Sequence, residues 1–299
     1  MPNIYQHIES NKEETAVIMA AFVAVVTFLG WFIGEYFVQG SGTAMALMAM
    51  IFSGFSSVIS FYASDKIVLA ISNAHEVSVE ENRDLHNFVE NVSIASGILK
   101  PKIYIIDDTA MNAFATGRDQ RHAVICFTRG IVEGLEKREL EGVIAHEMSH
   151  IGNRDTLLMT VVSVLVGTIS LLADWFTRGM FYGGRRRDSN SSLPGPFFFI
   201  GLVLIFLSPL IATLIKLAVS RNREYLADAT AGLITRNPKG LADALRKLAA
   251  DDEVLEVANS ATAHLYVDDP VTGRRDGWFA NMFNTHPPIE ERIRRLESI

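Results

Sequence analysis

Gly142-Val143-Ile144-Ala145-His146-Glu147-Met148-Ser149-His150-Ile151-Gly152-Asn153-Arg154-Asp155 leads directly into Thr156 to Ala173, a run without Asp, Glu, Lys or Arg. From about Lys137 to Gly152 the spacing predicts a helix. At 3.6 residues per turn, positions four apart share a face, so His146 and His150 project together. The run that follows lies near the lower limit of the roughly 17 to 25 apolar residues that a spanning helix needs. A helix carrying two histidines is therefore followed within a few residues by a hydrophobic segment, and the fold has to accommodate both.

Three more windows lack Asp, Glu, Lys and Arg: Thr15 to Gly34, Thr43 to Ser64 and Leu193 to Ile215. The last contains Pro194, Pro196 and Pro209, which predict an abrupt start and a kink. The residues ahead of the first window include Glu9, Glu13 and Glu14 against one Lys12, so it reads as a retained anchor rather than a cleaved leader. Orientation follows Lys and Arg. The connection from Glu35 to Gly42 has neither, whereas Lys66, Arg83, Lys137, Arg138, Arg154, Lys216, Arg221 and Arg223 flank the charged body. That predicts a cytoplasmic body with both termini on the same side. Arg178 and Arg185 to Arg187, between the third and fourth windows, run against the trend if both windows span, and leave a re-entrant hairpin as the alternative.

The net charge of −7 excludes a broadly basic nucleic-acid binder. A single cysteine, Cys126, excludes an intramolecular disulfide, and its apolar neighbours mark it as packing. Within the charged body, Val79 to Ile98 suits an amphipathic helix and Lys102 to Ile106 a short strand. Asn112 to Thr116 and Ala123 to Phe127 suggest a hairpin about the Gly117-Arg118-Asp119-Gln120 turn. Further helices are predicted over Arg221 to Leu233, Leu241 to Ala250, and after His286-Pro287-Pro288.

His146-Glu147-Met148-Ser149-His150 has the form H-E-x-x-H. Two imidazoles on one face can reach one Zn²⁺ at about 2.0–2.1 Å. Glu147, beside the first histidine, is placed to accept a proton from a zinc-activated water. A catalytic zinc takes three protein ligands. Glu224 and Asp228, again four apart, offer one carboxylate as the third ligand and one to orient a ligand histidine. From spacing alone the same pair also fits a solvated helix with Arg–carboxylate pairs. His150 lies six residues before the third window and Glu224 nine after the fourth. An apolar hairpin between them would bring both halves together at one membrane face.

Taken with Asn112-Ala113-Phe114-Ala115-Thr116-Gly117, Arg221 to Asp228, Ala244-Leu245-Arg246-Lys247-Leu248 and Thr285-His286-Pro287-Pro288, the chain resembles the HtpX heat-shock membrane metalloproteases, relatives of the CAAX prenyl endoproteases. The resemblance implies zinc on His146, His150 and Glu224, Glu147 as general base, and Asp228 hydrogen-bonded to a ligand histidine. It also implies a histidine at His286 near the zinc that stabilises the oxyanion. Read without it, His286 beside two prolines fits a capped turn. By the same resemblance Asn112, Ala113, Phe114 and Ala115 form an edge strand that pairs with an extended substrate; an interior hairpin strand is the alternative. Arg292 is expected to form a salt bridge with Glu224 or Asp228.

The predicted fold class is a mainly α integral membrane protein, with four hydrophobic helices and a zincin-like α+β catalytic domain containing a small β-hairpin or sheet. Residues 1–64 form the anchor, 65–155 and 216–299 the two parts of the catalytic domain, and 156–215 a hydrophobic hairpin. The implied function is zinc endopeptidase cleavage of misfolded or surplus membrane proteins in quality control under envelope stress. The implied site is the cytoplasmic face of a bacterial inner membrane, with the lipid bilayer and membrane protein substrates as partners and no nucleic acid. Alternatives are a processing protease for a dedicated lipidated or membrane substrate, and a non-catalytic membrane holdase.

Overall fold

The computed structural model of this 299-residue chain describes residues 4–37, 40–183, 220–251, 253, 255, 262, 265–267 and 287–299. Helices α1 (Ile4–Phe37) and α2 (Gly42–Ile71) come first and pack against each other. Within them, Ile8–Tyr36 and Gly42–Ile71 are long and apolar enough to cross a membrane. Their surface chemistry supports that medium. Helix α2 buries Ser53, Ser57, Ser60 and Ser64 at helical spacing, and exposes Leu47, Met48, Ile51, Phe55 and Val58. Small polar residues inside and large apolar ones outside reverse the pattern of a water-facing helix and match one bathed in lipid. Two of the buried hydroxyls are satisfied by their own helix, Ser53 Oγ donating to Ala49 O at 2.7 Å and Ser60 Oγ to Ser56 O at 2.7 Å.

Four strands follow: β1 (His75–Glu76), β2 (Lys102–Ile106), β3 (Ala113–Thr116) and β4 (Val124–Thr128), in the order β1-β2-β4-β3. β4 runs parallel to β2 and antiparallel to β3, so the predicted hairpin is present and β3 lies at the sheet edge. Gly117, at φ +123°, makes the turn; a Cβ there would fall 2.3 Å from His122 O. Helix α3 (Arg83–Ser96) is shorter than the predicted 79–98 at both ends. The Asn82 side chain accepts from the Leu85 N–H at its start, and Gly97 in the left-handed region ends it.

The remaining helices are α4 (Arg129–Gly134), α5 (Lys137–Asn153), α6 (Asp155–Gly183), α7 (Arg221–Thr235), α8 (Pro238–Ala250) and α9 (Ile289–Glu297). The sheet separates two apolar cores. Ile103, Ile105, Ala113, Ala115, Ile125 and Phe127 point towards α3, α5 and α8. Alternate residues Ile106, Phe114, Val124 and Cys126 point towards α6, Phe22 of α1 and Val68 of α2. Burial on both faces explains why the strands read as continuous apolar runs. It also pushes the Cys126 thiol well above its ordinary pKa, consistent with a packing role.

The third charge-free window falls in α6. Its first turns lie inside the protein, with Leu158, Val161, Val162 and Leu165 fully buried, and its shorter apolar stretch is Asp155–Ser170. Among the described residues, two helices have the length and composition to span. The fourth window, Leu193 to Ile215, and Arg185 to Arg187 lie outside the described residues.

Candidate metal centre

Helix α5 carries one half of the site. Its start is fixed by a reciprocal cap, in which the Glu136 side chain accepts from the Glu139 N–H and the Glu139 side chain from the Glu136 N–H. Gly142 lies one turn before His146, and a Cβ there would fall 2.7 Å from Leu241 N. Its absence lets α8 approach closely, which seals this part of α5 from water. His146, Glu147 and His150 are buried.

The two rings stand nearly perpendicular, at 88°, with Nε2 atoms 3.2 Å apart. Helix α7 brings Glu224 to the same point, Oε1 3.5 Å from His150 Nε2 and Oε2 3.7 Å from His146 Nε2. Donor atoms of His146, His150 and Glu224 all lie within 4.8 Å of one another. Each imidazole is held from behind: His146 Nδ1 lies 3.0 Å from Asp228 Oδ1, and His150 Nδ1 lies 3.0 Å from Asp155 Oδ2. A carboxylate on Nδ1 fixes the proton there and leaves Nε2 as a lone-pair donor. Two Nε2 atoms facing each other at 3.2 Å are held together by positive charge between them, either a shared proton or a metal ion. Nitrogens bound tetrahedrally at about 2.0–2.1 Å stand about 3.3–3.4 Å apart, close to this spacing.

The surrounding charge favours a cation as well. Burial alone would depress His150, yet the Asp155 hydrogen bond and the Glu224 carboxylate push its pKa up to about 9. Burial also pushes the Asp228 carboxyl upward, but the Arg292 guanidinium and the His146 hydrogen bond outweigh it and hold Asp228 down at about 2. Arg292, from α9, is fully buried and bidentate on Asp228, with Nε to Oδ2 at 2.9 Å and Nη2 to Oδ1 at 2.8 Å. Its Nη1 lies 3.5 Å from Glu224 Oε2, so the ion pair expected for Arg292 engages both carboxylates.

Glu147 is buried close enough to His146, His150 and Glu224 to feel their charge, and the Ala115 N–H of β3 donates to its carboxylate; desolvation raises its pKa. The neighbouring edge position is also engaged, since Val267 N donates to Ala113 O at 3.0 Å. Asn112 O and its N–H turn the other way, to Thr128, and Phe114 stacks edge-on against Tyr266. His286 lies outside the described residues. Three participants went unread in the sequence: Asp155, Asn11 and Arg223, which join in one network behind His150. The legible signal was an acidic residue at the break between α5 and the apolar run.

A buried two-histidine, one-carboxylate donor set beside a buried glutamate, set under a sheet edge, defines a metallopeptidase-type centre. The model of Peptidase family M48 matches residues 79–299, and the chain belongs to that family, whose HtpX-type members are membrane metalloproteases. A "Protease HtpX homolog" from Thermoanaerobacter pseudethanolicus is 44 % identical over 299 residues, covering 99 % of this chain and 98 % of that protein. Another from Dictyoglomus thermophilum is 43 % identical over 292 residues, covering 98 % and 93 %. One from Tropheryma whipplei is 40 % identical over 296 residues, covering 99 % and 98 %. Among solved structures, the crystal structure of S. mikatae Ste24p is similar at 18 % identity and a TM-score of 0.48, over 96 % of this chain and 65 % of that one.

Proposed function

We propose that this protein is a zinc endopeptidase of the bacterial inner membrane that cleaves misfolded or surplus membrane proteins at the cytoplasmic face. The buried cluster of His146, His150 and Glu224 beside Glu147 carries the reading. The donor set suits zinc, which takes nitrogen and carboxylate ligands in a tetrahedral site with one position left for chemistry. A zinc ion held there supplies Lewis acidity to the scissile carbonyl and to the attacking water.

The protein supplies the proton handling. Glu147 takes a proton as the water oxygen bonds to the carbonyl carbon, then gives it to the departing amine as the C–N bond breaks. Its raised pKa suits a group that must both accept and release that proton. Asp228 and Asp155 keep the histidines in the tautomer that donates from Nε2. The outward carbonyls of Ala113 and Ala115, on the edge that also carries Asn112 and Phe114, offer a substrate strand sequence-independent hydrogen bonds, while the Ala113 and Ala115 N–H groups stay with Asn112 Oδ1 and Glu147. A substrate on this edge takes the place that the Val267 N–H holds on Ala113 O. Sequence-tolerant pairing suits unfolded substrates, and the basic flanks of the charged body support a cytoplasmic orientation.

Purified Glu147→Gln protein should bind zinc as the wild type does and lose proteolysis of unfolded membrane substrates by at least about 100-fold. Cleavage at the wild-type rate would remove Glu147 from the mechanism. Cleavage of several unrelated unfolded membrane proteins supports quality control; restriction to one substrate class would replace it with dedicated processing.

A further inference from the structure

Asn11 lies near the start of α1, the first membrane-capable helix, yet only 3 % of its surface is exposed. Its Nδ2 donates to Asp155 Oδ1 at 2.7 Å and to Asn153 O at 3.0 Å. Its Oδ1 accepts from Arg223 Nε at 3.2 Å. Arg223 also lies 3.5 Å from Asp155 Oδ1 and pairs with Glu14, again from α1. Asp155 Oδ2 in turn holds His150 Nδ1 at 3.0 Å.

The chemistry of this position is narrow. It needs two N–H donors, for a carboxylate and a carbonyl, and one acceptor, for a guanidinium. A side-chain amide is the group that offers all three. A carboxylate anchored through one oxygen presents the other in a fixed direction. The orientation of His150 is therefore set by a residue from the membrane helix, far away in sequence and outside the matched peptidase region at 79–299.

We propose that Asn11 is a positioning residue for the metal site: acting through Asp155, it fixes the His150 ring and couples the seating of α1 to metal affinity. The inference rests on the reading of His146, His150 and Glu224 as a zinc site. The test uses the full-length protein in detergent, with zinc affinity measured by chelator competition and ligand geometry by the visible absorption of the Co²⁺-substituted form. Asn11→Leu fills similar space without donors, and Asn11→Ala serves if that variant does not fold. Either should weaken zinc binding about tenfold, the low end of the range for groups that orient metal ligands. It should also alter the Co²⁺ spectrum. Asp155→Ala should weaken binding by at least as much, and Asn11→Leu added to it should cost nothing further, since the two act in series. A lower Tm with unchanged zinc affinity would assign Asn11 to helix packing and overturn the proposal, as would additive losses in the double variant. Wild-type protein that binds no zinc overturns the metal-site reading itself, and the positioning role with it.

Discussion

Arg292 places a guanidinium, with none of its surface exposed, against Asp228 and beside Glu224. A buried charge is tolerable only when paired, and removing one partner leaves the others uncompensated at a cost of about 3–5 kcal/mol. Arg292→Met should lower the unfolding midpoint in detergent by a corresponding amount. Arg292→Lys should recover little, because a point charge cannot bridge both oxygens of Asp228 as the planar fork does. Glu224→Ala should leave the protein without stoichiometric zinc in metal analysis; retained zinc would remove Glu224 from the donor set. The histidine pair was readable because four residues make just over one helical turn. Asp155 was not, because five residues from His150 is a poor helical neighbour. Arg154, at φ +60°, breaks the helix in the left-handed region, and that break folds Asp155 back onto the ring.

At the scale of elements, β3 joins the site to the sheet. The outward N–H of Ala115 meets Glu147, while the inward groups of Phe114 and Thr116 belong to the ladder with β4. Proline is accepted on an edge where the lost N–H is not part of the ladder. Ala115→Pro should therefore retain zinc and near-native stability, yet lose kcat/KM by about tenfold or more as the hold on Glu147 disappears. Steady-state kinetics beside metal analysis checks this. The strands themselves were legible as apolar runs bounded by turn residues. Whether β3 lay at the edge or inside was not, since strand order is decided by contacts remote in sequence. Helix ends were misjudged where capping overrode periodicity, as the Asn82 side chain and the left-handed backbone of Gly97 do for α3.

For the whole molecule, the sheet has one apolar face towards the helices that carry the histidine and glutamate cluster and the other towards the membrane-capable ones. Ile18 and Phe22 of α1 and Val68 and Leu69 of α2 belong to that second core. Removing residues 1–71 should therefore expose apolar core as well as delete an anchor. The truncated protein is expected to aggregate on size exclusion even in detergent, and to hold zinc substoichiometrically. Charge-free windows marked the hydrophobic segments in the sequence. They could not show that the first turns of α6 face protein, because composition records how apolar a helix is and not what surrounds it.

His146 and His150 leave the ribosome well before Glu224 and Asp228, and Arg292 lies in the last helix. At about 5–20 residues per second, a newborn chain spends several seconds with two of its three candidate donors. During that interval the hydrophobic run beginning at Thr156 must find its place, and the C-terminal helix has yet to dock. A chain cut short before Glu224 would therefore lack one of the three candidate donors. Under the function proposed above, the order of the sequence thus withholds activity until Glu224 and Arg292 have been made.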